Sequence, residues 1–278
     1  MEQITVPVSR EEQRLTFKVT PAKALTLLFQ PPLKEGNAPA PVYFIITGGG
    51  WHEGSAESML GFSAQSCLYA RNRGWAVVSI NYRFNVDGCD MDQIVSDCMD
   101  AARYLTRFAE PLGIDPNRIL TSGHSAGGHL ALMLALAPHE MFRRESPYTE
   151  DFTVIATAPL SPPVVLYEQG VPQTLKFSMK ELFPNMSEED FRRTSPDTYV
   201  TAGSVPCLSV VGAMDDLVFP VSSELLMDKY RACGAPGELV YSRNGGHCFE
   251  SMVPGERSDP DFAGVQTILE GFIDRFTK

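Results

Sequence analysis

The chain has 278 residues, with 23 Lys and Arg against 34 Asp and Glu, for a formal charge of −11. Hydrophobic residues make up 44% of it, which suits a globular core and excludes a largely disordered chain. So acidic a surface repels a phosphate backbone or an anionic bilayer, so no nucleic-acid partner and no membrane partner is expected.

Residues 13–19 alternate in polarity, and 24–29 form an apolar run closed by Pro31 and Pro32, which predicts two strands before a loop over 33–41. The apolar run 42–47 stops at Gly48-Gly49-Gly50, as a strand buried on both faces would. Residues 56–73 read as an amphipathic helix ending at Gly74, 76–81 as a strand, and 90–110 as a helix closed by Pro111. Strand 118–123 leads into 126–137, apolar nearly all round and therefore a helix buried against a sheet. Strands at 152–158, 207–212 and 238–242 and helices at 222–232 and 261–277 complete the alternation. That rhythm predicts one α/β domain over 1–278, a mostly parallel sheet with helices on both faces. Residues 166–206 interrupt it with only weak helical stretches, either a surface excursion or a small cap over a site.

The six cysteines are scattered with no pair at two-residue spacing, which points to free thiols and a reducing, cytoplasmic setting. The first residues carry no basic stretch leading into an apolar core, and no run is long enough to span a bilayer.

Gly123-His124-Ser125-Ala126-Gly127 fits the Gly-x-Ser-x-Gly nucleophile elbow, and it stands between a predicted strand and a predicted helix, as that motif requires. A tight strand-to-helix turn strains the Ser125 backbone, and the glycines remove side chains that would collide there. Serine at its free pKa needs a base. Of five histidines, His124 flanks the serine inside the elbow, His129 lies in a buried helix, His139 sits at that helix's end, and His52 follows the glycine loop. His247, between flexible residues after the last strand, is the best candidate base. A carboxylate must orient it, and Asp215 and Asp216 both stand in a strand-end loop; position alone does not separate them. Backbone N–H groups of the Gly48-Gly49-Gly50-Trp51 loop, with that of Ala126, are suited to an oxyanion. No metal or cofactor is expected: His52-Glu53 and His139-Glu140 lack a second histidine four residues on, and the glycines fit neither a P-loop nor a dinucleotide fingerprint.

With Asn81-Tyr82-Arg83, Gly128-His129-Leu130, Ser195-Pro196, Gly212 to Val218 and Gly245-Gly246-His247, these motifs run in a fixed order from Val42 to Phe249. In that order the chain resembles the α/β-hydrolase family, in particular the small esterase/lipase group of acetyl-ester and feruloyl-ester hydrolases and kynurenine formamidases. The resemblance implies an α/β-hydrolase fold, a short cap at 166–206, and Asp215 as the acid. It departs from the family pattern at Thr47, where many relatives have histidine, and at Cys248, where many have glycine.

The expected activity is serine carboxylic-ester hydrolysis by Ser125, His247 and Asp215, with Gly49, Gly50 and Ala126 as the oxyanion hole. Trp51, His52 and Phe249 are expected to line the substrate pocket, and a short cap with a bulky Trp51 favours a small acyl group such as acetyl, on a sugar for example. The partner is then a small-molecule ester, and a homodimer is compatible with it. Amide or formamide cleavage by the same triad, and a silent hydrolase fold used for binding, are the alternatives.

Overall fold

The computed structural model describes residues 11–34 and 39–277. The expectations for the first ten residues and for residues 35–38 of the 33–41 loop lie outside the described residues. The strands are β1 (Gln13–Val19), β2 (Ala24–Gln30), β3 (Ala40–Ile46), β4 (Ala76–Ile80), β5 (Ile114–His124), β6 (Val154–Leu160), β7 (Cys207–Gly212) and β8 (Gly237–Ser242). The helices are α1 (Ala56–Phe62), α2 (Ala64–Asn72), α3 (Met91–Arg107), α4 (Ala109–Leu112), α5 (Ala126–Leu136), α6 (Met179–Leu182), α7 (Glu188–Arg193), α8 (Val221–Cys233) and α9 (Phe262–Asp274).

All eight strands form one sheet in the order β1-β2-β4-β3-β5-β6-β7-β8. The pairs β1–β2 and β2–β4 are antiparallel, and the rest are parallel. Along β3, Val42, Phe44 and Ile46 enter the core on one face, while Tyr43 and Ile45 enter the core on the other. Strand β3 can be apolar at every position because helices cover both faces: α3 and α5 on one side, α1, α2 and α9 on the other.

The chain runs from β3 to β4, then crosses back to β5 on the other side of β3. Order reversal opens a crevice at the carboxyl ends of the strands, where ligands bind in open α/β sheets. Register places the strand ends at one edge: Ile46 pairs with Gly123, Gly123 with Pro159, Leu160 with Val210, and Gly212 with Ser242. Ser125, Asp215 and His247 all follow these ends within a few residues.

Three local expectations differ from the structure. The helix expected over 56–73 is broken at Ser63, which caps α1 and opens α2. Pro111 does not close the helix before it: α3 stops at Arg107, Pro111 lies inside α4, and Gly113, in the left-handed region at φ 65°, ends that turn. Proline is tolerated there because α4 is a single turn, whose early N–H groups have no intrahelical acceptor. Strand β5 starts at Ile114, four residues before the run that signalled it.

Within 166–206 the chain forms α6, α7 and a 3₁₀ turn at Pro196–Tyr199. An antiparallel bridge between Leu175 and Val218 sews this insertion to the loop after β7.

Candidate active site

Ser125 stands between β5 and α5 at φ 56° and ψ −124°, left-handed and strained for a residue with a Cβ. Its N–H donates to the Leu160 carbonyl at 2.8 Å, which pins the turn to β6. The flanking glycines are required because β3 passes close by. A Cβ on Gly127 would overlap the Ile46 carbonyl, and one on Gly123 would overlap both Gly127 and Ile46. The obstruction is thus neighbouring backbone rather than the serine itself.

The loops after β7 and β8 meet at Gly212, where a Cβ would overlap the Gly246 carbonyl. The Met214 N–H donates to the Gly245 carbonyl at 2.9 Å and closes the contact. That approach brings the His247 Nδ1–H to Asp215 Oδ2 at 2.7 Å. Asp215 Oδ1 accepts from the N–H groups of Leu217 and Val218, each at 3.0 Å, so the carboxylate cannot swing away. Its side chain is 0% exposed. Asp216 points outward to Lys176 at 2.9 Å, with 64% of its side chain exposed. The carboxylate on the imidazole is therefore that of Asp215.

Among the described residues no hydrogen bond joins the Ser125 hydroxyl to the His247 ring; in unliganded enzymes such bonds are often long and tighten when substrate binds. The link between elbow and imidazole runs instead through His124. Its Nε2–H donates to the His247 carbonyl at 2.8 Å, and the two rings lie 4.7 Å apart. Because a carbonyl only accepts, Nε2 of His124 carries the proton. Burial and then the nearby His247 push the His124 pKa down to about 4, so the ring stays neutral near pH 7.

After β3 the chain turns through three left-handed residues, Gly49 at φ 98°, Gly50 at 61° and Trp51 at 57°. Among the described residues, no acceptor takes the N–H of Gly49, Gly50 or Ala126. Two of these donors lie in the loop after β3, and the third opens α5 next to Ser125. A cleft of about 460 Å³ borders Gly48, Gly49 and His124, with Glu53, Ser58 and Phe62 on its other walls. A second cleft, of about 390 Å³, lies within the insertion along Val165 to Glu181.

Residues 28–230 match the BD-FAE family. The chain belongs to that family. It is 26% identical over 240 residues to Esterase LipC of Mycobacterium tuberculosis, covering 83% of this chain and 58% of LipC. It is 27% identical over 223 residues to a probable isoprenylcysteine alpha-carbonyl methylesterase, ICME, of Oryza sativa subsp. japonica, covering 74% of this chain and 51% of ICME. The chain spans about half the length of the curated relatives it matches. Among solved structures, the propionate-bound esterase Est2 of Thermogutta terrifontis has a TM-score of 0.78 at 23% identity, over 95% of this chain and 94% of that one. That likeness shows the α/β-hydrolase fold.

In this BD-FAE chain two expected pocket residues are elsewhere. Trp51 is 0% exposed, with its indole turned into the core, and Phe249 is 1% exposed, packed into the core on the other face of the sheet. Neither ring presents surface to a substrate. Both occupy left-handed backbone, which aims their side chains inward from loops whose sequence looks superficial. His52 is exposed and contacts Asn85 at 3.1 Å. His124, which flanks Ser125 in the elbow, reaches sideways to the His247 carbonyl, and that contact has no sequence signal because it spans 123 residues. Asn81-Tyr82-Arg83 is structural: Arg83 forms two bonds to buried Asp97 at 2.7 and 2.8 Å, and the Tyr82 hydroxyl donates to the Thr47 carbonyl at 2.9 Å. All six cysteines are free. Among the described residues no helix is long and apolar enough to cross a membrane, and no group of three His, Cys, Asp or Glu is placed to hold a metal ion.

Proposed function

We propose that this chain is a serine carboxylic-ester hydrolase, one domain with residues 166–206 as a short cap. The observation that carries this reading is the 2.7 Å contact between Asp215 and the His247 ring, at the strand edge where Ser125 stands. Ser125 Oγ attacks the ester carbonyl while His247 Nε2 takes its proton. Asp215 holds the Nδ1–H tautomer and stabilises the imidazolium as it forms. The N–H groups of Gly49, Gly50 and Ala126 take the tetrahedral oxyanion. The imidazolium then protonates the leaving alkoxide, and a water deprotonated by His247 releases the acid and restores Ser125.

A short acyl chain is supported by the solved Est2 structures, which carry propionate and butyrate. An acetylated sugar as substrate is supported by the polar cleft beside His124, which Glu53, Ser55 and Ser58 border. These groups suit a hydroxyl-rich alcohol. The ester reading is preferred to amide cleavage because the relatives cited above are named esterases.

The test compares wild type and Ser125→Ala on p-nitrophenyl acetate, butyrate and octanoate and on peracetylated xylose. Loss of at least about 10³-fold in the variant, with acetate the best p-nitrophenyl ester, is expected. Unchanged hydrolysis by Ser125→Ala overturns the assignment.

A further inference from the structure

His129 lies one turn into α5, where a buried helix histidine needs no special function. Its two partners suggest otherwise. The Trp51 indole N–H donates to His129 Nδ1 at 3.2 Å, and His129 Nε2 bonds the Thr194 carbonyl at 2.7 Å. All three residues are 0% exposed. The indole only donates and the carbonyl only accepts, so one state satisfies both: neutral imidazole with the proton on Nε2. The ring therefore joins three segments far apart in sequence: the loop after β3, the helix that follows Ser125, and the insertion.

We propose that His129 is a positioning residue for the oxyanion hole, acting through Trp51; the proposal rests on the esterase reading above. Trp51 directly follows Gly49 and Gly50, whose N–H groups have no acceptor among the described residues. Left-handed backbone at a residue with a Cβ costs about 1–2 kcal/mol, so Trp51 holds that shape only where its surroundings enforce it. Three contacts do so. The indole hydrogen bond and edge-on packing fix it to His129, with ring centroids 5.3 Å apart, and Phe183 packs at 6.4 Å. The Trp51 carbonyl accepts from the Asn85 N–H at 2.9 Å.

The third donor, on Ala126, shares α5 with this anchor, and the His129 N–H closes the first turn onto the Ser125 carbonyl at 3.1 Å. One rigid helical turn thus carries the nucleophile, one oxyanion donor and the grip on the loop that holds the other two. Spacing among donors decides oxyanion stabilisation, since each must lie at hydrogen-bond distance from a single oxygen. Thr194 ends α7, so the same ring also ties the cap to the oxyanion loop.

The experiment measures kcat and KM separately on p-nitrophenyl acetate for wild type, His129→Leu, His129→Gln, Trp51→Phe and the Leu/Phe double variant, with thermal melts of each. His129→Leu is expected to lower kcat roughly 10- to 100-fold with little change in KM, less than the loss of a whole oxyanion donor. Glutamine accepts at Oε1 and donates at Nε2, so His129→Gln recovers most of that loss. Trp51→Phe lowers kcat in the same direction, and the double variant falls no further than His129→Leu, because both break one link. A full kcat in folded His129→Leu, or additive losses in the double variant, overturns the proposal. If His129→Leu does not fold, Trp51→Phe with unchanged kcat overturns it equally. Failure of the esterase reading looks different: wild type itself does not hydrolyse the ester, or Ser125→Ala still does.

Discussion

His124 and His247 are joined across the site by a 2.8 Å hydrogen bond from ring Nε2–H to backbone carbonyl, and their rings lie 4.7 Å apart. His124 is the last residue of β5 and precedes Ser125, so this contact sets the His247 loop against the strand that carries the serine. Phe62 packs on the His124 ring at 4.8 Å and holds it in place. His124→Phe keeps an aromatic ring there but leaves the His247 carbonyl without its donor. We expect kcat to fall roughly fivefold, as for a neutral hydrogen bond of about 1 kcal/mol lost beside the proposed base. His124→Gln, which can still donate, should lose less. Equal kcat in Phe and wild type would show that the His247 loop holds its place without the bond.

The two neighbouring aspartates separate in the same assay. Asp215→Asn keeps the shape but replaces the carboxylate that the proposed mechanism uses to stabilise the imidazolium, so kcat should fall by roughly 10³–10⁴. Asp216 faces solvent and pairs with Lys176 across exposed side chains. Asp216→Asn should leave kcat within about twofold, because exposed ion pairs contribute little. A larger loss in Asp216→Asn than in Asp215→Asn would reverse their roles.

Stability should depend on pH through His129. Burial pushes its pKa down to about 4, against about 6.5 for the unfolded chain. Above about pH 6.5 both states hold the ring neutral and the stability is complete. As pH falls from about 6.5 to about 4, only the unfolded state takes up the proton, and folding loses about 3 kcal/mol in total from this group. Urea midpoints of wild type and His129→Gln at pH 7, 5.5 and 4 isolate the contribution of this ring. The glutamine variant should show the flatter dependence over that window.

Asp97 anchors a buried ion network away from the site. It accepts from Lys18 at 2.8 Å and twice from the Arg83 guanidinium, while Asp100 accepts from Lys18 and Arg103, each at 2.8 Å. Asp97→Ala removes one of two carboxylates from buried Lys18 and from Arg83, which keep Asp100 and Glu145, and should cost about 2–3 kcal/mol in urea unfolding. Activity per folded molecule should stay near wild type, because no member of the network reaches Ser125 or His247. A loss below about 1 kcal/mol would mean that water replaces the carboxylate.

Features that depend on near neighbours in the chain were legible beforehand. Much of β3, β5, β6 and β7 declares itself as short apolar runs ended by glycine or proline, because a strand covered on both faces has few polar positions. The elbow is legible for the same reason: a strand, a serine flanked by glycines and an apolar helix lie within a few residues, and the steric demand is local. What could not be read was how loops far apart in the chain approach one another. Asp215 and Asp216 are equivalent as letters, and only the packing of Gly212 against Gly246 turns one toward His247. Trp51 looks like an exposed loop aromatic until its left-handed backbone and its bond to His129, 78 residues on, turn it into the core. Side-chain type and spacing along the chain thus prescribe the elements and the chemistry on offer. Which side chains meet depends on how the elements pack, and no local pattern encodes a contact between residues that touch only after the sheet has formed.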